Sequence, residues 1–428
     1  MACATDPSFN MPLLASRNTT FAAETGPDPT FADLPWYRWW LYQQIRSQPQ
    51  RLLLALPTMK CDEDSDWDVQ FIPVWNKIRE LVLVPEPKTI DGITDTLVEL
   101  GVISVKDNYE AYSSAKELVF SILGWQTMLY KPDLHPCAPG GFDILDEMDG
   151  HHGEARVCFT QSPLSGKYDF RSFLLGFGMM LPSRNYCAFD DTDDKKLFAN
   201  TKVIISKELN ARVLTKVCGI KIQWVDSLSC HLELDRQSGT LFLYRYPSFC
   251  VSSLHSQDTG ERRKGAIHRC GFEKPGSVPW ASEEDVTELL QEILLSYRLL
   301  FGQSRRSRSL FRQLRPFARI PHEGHDQFLS SICSKKKFDC PVSLIEREEY
   351  DVAGDFPHLR SRIVRLNSYA SSKKPRSILQ LWQDKRDSTA WLALWSVLIF
   401  GSVSIVLGVV QTVFQVMQYV LALQQGGT

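Results

Sequence analysis

The 428-residue chain has no Cys-x-x-Cys pair, although it carries 11 cysteines. A framework of disulfides or a thiolate metal knuckle needs paired spacing, so an odd, scattered set reads as reduced thiols in a chain too large to need staples. Net charge of one sign is also missing. Lys+Arg 48 against Asp+Glu 50 leaves a formal charge of -2, and no global field draws the protein to nucleic acid or lipid. Nucleic acid is therefore not an expected partner. Met1 to Gly26 has no apolar run long enough for a secretory signal, since Met11-Pro-Leu-Leu-Ala15 is too short. The expectation is an intracellular chain.

Chemical motifs are equally scarce. No Gly-x-Ser-x-Gly elbow and no phosphate loop occur, and Gly176-Phe177-Gly178 lacks the third glycine of a dinucleotide fingerprint. His322-Glu323-Gly324-His325 places its histidines three apart after a proline, whereas a zincin needs them four apart on one helical face. Asp190-Asp191-Thr192-Asp193-Asp194 lacks the ligand spacing of a calcium loop and reads as solvated loop. No metal and no cofactor is expected. The remaining catalytic candidates are His231, Glu233 and Cys230, in a segment that reads as a strand. Alternation would send Cys230 and Leu232 to one face and His231 and Glu233 to the other, either as a surface pair or as groups converging on a pocket.

What is present is apolar length at one end. Ser388 to Thr428 contains no charged side chain, and Ala390 to Val410 is apolar apart from its serines. As a helix those 21 residues span about 30 Å, the thickness of a bilayer's hydrocarbon core. Trp391 and Trp395 stand where indoles favour the interface. Lys373, Lys374, Arg376, Lys385 and Arg386 precede the run and no basic residue follows it. The positive-inside rule then keeps the N-terminal side cytosolic, as in a single-pass, tail-anchored protein whose first partner is the lipid bilayer. Gly401, Ser404, Gly408, Gln411, Gln415 and Gln418 recur at spacings of three and four, so one stripe of this helix offers small residues and then amides for self-association.

The rest reads as α+β. Residues 1–30 look like a flexible arm, and 31–132 form a mainly helical unit with helices over Gln70–Val84 and Ser113–Leu129. It opens on the aromatic run Pro35-Trp36-Tyr37-Arg38-Trp39-Trp40, which is core or a partner-binding surface. A Pro/Gly tract marks the boundary to a β-rich or mixed unit over 133–280, with strands at Lys202–Ser206, Lys221–Val225, Cys230–Leu234 and Thr240–Tyr246. The last two are joined by a five-residue hairpin loop. A helical unit over 281–370 begins at Ser282 as N-cap and buries Val286, Leu289, Leu290, Ile293, Tyr297 and Leu300. A basic linker over 371–388 leads to the membrane helix and its extension over 389–423. Arg305, Arg308, Arg312 and Arg315 align on one helical face until Pro316, a solvated face or a contact for anionic headgroups.

Three segments carry a resemblance. They are Trp224-Val225-Asp226-Ser227-Leu228-Ser229-Cys230-His231-Leu232 with Leu241–Phe249, then Leu294-Leu295-Ser296-Tyr297-Arg298-Leu299-Leu300-Phe301-Gly302-Gln303, and Pro375–Asp387 running into the span. In this order they resemble a group of uncharacterised filamentous-fungal proteins with a cytosolic mixed α/β region and a C-terminal membrane span. The resemblance implies an accessory component in development, colony behaviour, secondary metabolism or self/non-self response, and supplies no catalytic residues. The expected function is a membrane-anchored scaffold or regulator with an unknown cytosolic protein partner. An enzyme with an unfamiliar site in the β-rich centre is the second reading, and an oligomeric membrane-perturbing protein the third.

Overall fold

The computed structural model describes residues 34–49, 52, 55–56, 67–84, 86–105, 109–133, 141–255, 265–271, 280–336, 338, 340, 342–373 and 388–425. The N-terminal arm, the Leu134–Gly140 part of the boundary tract and the 374–387 part of the basic linker lie outside them. The architecture is α+β, 57% helix and 9% strand, with one apolar helix at its C-terminal end.

The aromatic run forms the helix Pro35–Arg46, started by a proline whose fixed φ suits the first turn. Trp36, Tyr37, Trp40, Leu41 and Ile45 are buried. Trp36 stacks on Tyr246 at 4.0 Å and donates its indole N–H to Ser248 Oγ at 2.7 Å. Tyr37 donates its hydroxyl to the Trp125 carbonyl at 2.9 Å. The run is therefore core that staples the start of the chain to its centre, and its buried rings offer no surface to a partner.

The expected helices over 70–84 and 113–129 are Trp67–Leu83 and Tyr109–Thr127. From Ser113 every residue of the second but Lys116 is buried, including Ala115, Leu118, Val119, Ile122 and Trp125. Between them Ile90–Glu99, which the sequence reading passes over, is capped by Thr89 accepting from the Gly92 N–H. A single hydrophobic cluster then extends from Trp36 to Ala370 through all three expected units.

Strand is sparse and short. β1 (Phe142–Asp143) pairs with β2 (Thr160–Gln161), and β3 (Val203–Ile205) pairs with β7 (Glu349–Asp351), both antiparallel. The central sheet has the order β4 (Lys221–Val225), β6 (Thr240–Tyr244), β5 (Leu234–Asp235). β4 runs parallel to β6, Lys221 opposite Thr240, and β5 antiparallel to it, Asp235 opposite Thr240. All five residues of β6 are buried, as expected of a strand covered on both faces.

The hairpin exists, but Cys230–Leu234 is not its first strand. Leu228–Cys230 is a tight helical turn and Leu232 takes φ 63, the left-handed region a branched-chain residue rarely adopts. That residue cancels strand alternation, so Cys230, His231, Leu232 and Glu233 are all buried. Asp190–Asp194 also departs from expectation: Asp191 caps the helix Thr192–Asn200 rather than sitting in a loop.

Later helices follow the sequence more closely. Ser282 and Asp285 close a capping box on Glu283–Tyr297, whose Val286, Leu289, Leu290, Ile293 and Tyr297 are buried. Arg305–Leu314 ends with Arg315 in a left-handed cap before Pro316, and Arg360–Ser372 is the last helix of the body. Replacing Trp36 by alanine should cost about 3–5 kcal/mol in urea unfolding, the usual penalty for emptying a buried aromatic site. Half-buried Trp39 should cost much less. Equal losses at the two positions would contradict the packing.

Candidate functional site

The centre holds a buried polar network built by four segments. Glu233, fully buried, accepts from the backbone N–H of Glu154 and Ala155 at 3.0 and 2.9 Å through Oε1. The same oxygen meets Arg362 Nε at 3.1 Å, and Arg362 donates through Nη1 to the His231 carbonyl at 2.6 Å. Glu154 accepts from Ser361 Oγ and faces Arg365 at 3.4 Å. Burial pushes the Glu154 carboxyl up, as does the neighbouring Glu233 charge, against the pull of Arg365 and Arg362.

His231 is occupied at both nitrogens. The Tyr244 N–H donates to Nδ1 at 3.3 Å, so Nε2 carries the proton and donates a hydrogen bond to Ser296 Oγ at 2.7 Å. Ser296 Oγ in turn donates to the Ile293 carbonyl at 2.7 Å. Burial, with help from Arg362, lowers the imidazole to about 3. It is a neutral joint between the sheet and Glu283–Tyr297, with no free nitrogen for base catalysis.

Cys230 points elsewhere. It packs with Met148, Val225 and Phe242, and Arg156 donates a hydrogen bond to its sulfur. Burial raises the thiol despite that guanidinium, which leaves it protonated and a poor nucleophile. Arg156 is itself fully buried beside Glu147, which accepts from Asp226 N–H and Ser227 N–H at 2.8 and 2.9 Å. His231, Glu233 and Cys230 thus do not converge on one pocket. The surface-pair reading fails as well, because the left-handed Leu232 turns both polar side chains inward.

The network reaches solvent beside Glu233. An open cleft of about 480 Å³ lies between the Asp149–His152 loop and the Leu234–Gln237 turn, flanked by Asp194 and Arg365. His151 stacks on Phe242 at 6.2 Å, with Nε2 3.9 Å from Glu233 Oε2 and Nδ1 4.0 Å from Asp235 Oδ1. Neither His151 Nε2 nor Glu233 Oε2 has a hydrogen-bond partner among the described residues. Burial acts against it, but hydrogen bonds from Ser238 and Gln237 and the nearby His151 hold Asp235 below the usual carboxylate range. The cleft lining carries both signs of charge, Asp149, Asp194 and Asp235 with Arg236 and Arg365. In the sequence His151 stands only beside His152; its partners Glu233 and Asp235 come from a distant turn.

Arginines form the other polar surface. In Arg305–Leu314, Leu310 and Phe311 face the core while Arg305, Arg306 and Arg312 are exposed, followed by exposed Arg315 and Arg319. None of these five is ion-paired among the described residues. Arg308 departs from the stripe: it is half-buried and donates to the Gly302 carbonyl. A second cleft, about 510 Å³, opens at the start of this helix and is lined by Lys207, Arg212, Lys216 and Arg306 together with Glu208 and Glu348.

The C-terminal helix runs unbroken from Ser388 to Gln425. Trp395–Ala422 is long and apolar enough to cross a membrane, with mean hydropathy 2.3 and none of its richest window buried. A Cβ built on Gly401 or Gly408 meets nothing within 4 Å, so the small-residue stripe lies open. Compared with protein-family models, curated proteins and solved structures, the chain matches none.

A pH dependence follows from His231. Its folded value is about 3 against roughly 6.5 unfolded, so its contribution is intact above the unfolded value and is lost as pH falls toward the folded one. Between pH 7 and pH 5 it should remove about 2 kcal/mol of stability. Urea unfolding in detergent at the two pH values should show this loss, and His231→Gln should flatten it. An unchanged pH slope in the variant would remove His231 as the cause.

Proposed function

We propose that the chain is a membrane-tethered, non-enzymatic scaffold or regulator, inserted by Ser388–Gln425 with its body on the cytosolic side. The observation that carries this reading is the uncovered apolar helix. Eighteen large apolar side chains from Leu392 to Leu421 stand exposed on it. At about 1.5 kcal/mol or more each, leaving them in water costs on the order of 30 kcal/mol. That exceeds the 5–15 kcal/mol or so by which a typical domain is stable. Insertion into lipid removes the cost. The basic residues before the helix, and their absence after it, support the orientation. Protease added to intact membranes should destroy a tag before Met1 and spare one after Thr428, and the reverse pattern would overturn the topology.

The arginine face supports a second contact with the same membrane. Arg305, Arg306, Arg312, Arg315 and Arg319 form a cationic surface on a tethered body, where each basic group near an acidic leaflet adds roughly 1 kcal/mol. Arg305→Glu, Arg312→Glu and Arg315→Glu together should weaken sedimentation of the body without residues 388–428 on phosphatidylserine vesicles by about 100-fold at low salt. Neutral vesicles should bind neither form. Equal binding by wild type and variant would remove this role.

The open stripe of Gly401, Ser404, Gly408, Gln411, Gln415 and Gln418 supports self-association in the bilayer, where small residues let backbones approach and amides bond across the contact. In a membrane dimerisation reporter, Gly401→Leu with Gly408→Leu should abolish the signal and Val403→Leu should retain it. Equal signals would assign the stripe no such role. A second reading, a catalytic or ligand-binding body, is favoured by one observation: the unpartnered Glu233 Oε2 and His151 Nε2 beside the Asp235 cleft.

A further inference from the structure

The acidic face of Glu283–Tyr297 meets a histidine from the far end of the body. Asp285, Glu288 and Glu292 are spaced three and four apart and so share one side of the helix. Opposite them stands His358, two residues before Arg360–Ser372. Its side chain is fully buried, and Nδ1 lies 2.9 Å from the Pro182 carbonyl. A carbonyl only accepts, so Nδ1 directs its proton at Pro182 and Nε2 is the ring nitrogen left to ligate an ion.

Nε2 has no hydrogen-bond partner among the described residues. It points between two carboxylates, 3.4 Å from Glu288 Oε2 and 3.8 Å from Asp285 Oδ1. The three donor atoms lie within 4.8 Å of one another. An ion about 2.1 Å from each donor in a tetrahedral shell sets the donors roughly 3.4 Å apart; Nε2 already stands at 3.4 and 3.8 Å from the two acids, so small side-chain rotations close the set.

The surrounding bonds hold the ligands in place. Glu292 accepts from the His358 N–H at 3.0 Å and from the Leu359 N–H at 2.8 Å, which fixes the backbone carrying the imidazole. Asp285 Oδ2 accepts from the Ser282 N–H at 3.0 Å, leaving Oδ1 for His358. The Pro182 carbonyl behind the ring is the kind of outer partner that sets tautomer and orientation in metal-binding histidines. Asp285 and Glu288 retain 26% and 42% side-chain exposure, which gives a path from solvent. Arg184, 53% exposed, pairs with Glu288 Oε2 and is the competitor an arriving cation must displace or share with.

We propose that Asp285 Oδ1, Glu288 Oε2 and His358 Nε2 bind one divalent first-row transition ion of the Zn²⁺ class, with the remaining position open to water. One imidazole and two carboxylates form a borderline donor set that suits such an ion better than an all-oxygen set suited to Ca²⁺. The sequence hides the site because the acids and the histidine are far apart along the chain.

The test is a titration of the full chain in detergent with Zn²⁺ by calorimetry and with Co²⁺ by visible absorption, near neutral pH. One ion per chain is expected, with a ligand-field band of nitrogen and oxygen donors and no thiolate charge-transfer band. Glu288→Gln, at an exposed position, should weaken binding at least about tenfold without changing the thermal melt. Asp285→Asn should do the same while its amide oxygen keeps the cap, and Arg184→Ala should tighten binding. Absence of stoichiometric binding would overturn the proposal. So would binding that Glu288→Gln and Asp285→Asn leave unchanged, which would place the ion at another cluster such as His322 and His325.

Discussion

The Glu233 carboxylate is the joint on which the body depends. Through one oxygen it holds the Glu154–Ala155 backbone and meets Arg362 of the last body helix, and Arg362 in turn holds the His231 carbonyl. A charge with no exposure is tolerable only when paired and hydrogen-bonded, and removing one partner of such a pair costs about 3–5 kcal/mol. Gly153 makes the approach possible. It takes φ 47, and a Cβ there would stand 2.6 Å from Glu233 Oε2. Three stretches distant in sequence are thereby fixed to the same carboxylate.

The same joint brings together the segments Trp224–Leu232 and Leu294–Gln303. Trp224 stacks on Phe301 at 6.3 Å, and His231 meets Ser296 at 2.7 Å, so the two segments pack against each other. Arg298 is buried with Nε 2.6 Å from Glu346 and Nη1 2.6 Å from the Ile332 carbonyl. A Cβ at Gly302 would collide with that guanidinium at 2.4 Å. Serine, tyrosine, arginine and glycine in Ser296–Gly302 each have a packing reason, and none requires a substrate.

Legibility followed locality. A helix with an apolar stripe and a local cap, such as Glu283–Tyr297, could be read because its signals lie within a few residues. Ile90–Glu99 has only the local Thr89 cap and a short stripe of Ile90, Ile93 and Leu97 to mark it. The Cys230–Glu233 segment misled because its composition suits a strand, while its conformation is set by a left-handed Leu232 that only tertiary contacts stabilise. The polar clusters were invisible for a similar reason. His151 acquires Glu233 and Asp235, and His358 acquires Asp285 and Glu288, only through long-range folding.

The body and the terminal helix face opposite physical problems. Inside the body, Glu233, Arg362 and His231 are committed to one another, and its accessible chemistry lies at the cleft, the arginine face and the Asp285–His358 cluster. The helix Ser388–Gln425 has apolar surface and nothing among the described residues to cover it. Alkaline carbonate extraction of membranes from cells expressing the full chain, alongside the chain lacking residues 388–428, tests that division most directly. The account predicts that the full chain stays in the membrane pellet and the shortened chain appears folded in the supernatant. Release of the full chain, or retention of the shortened one, would contradict it.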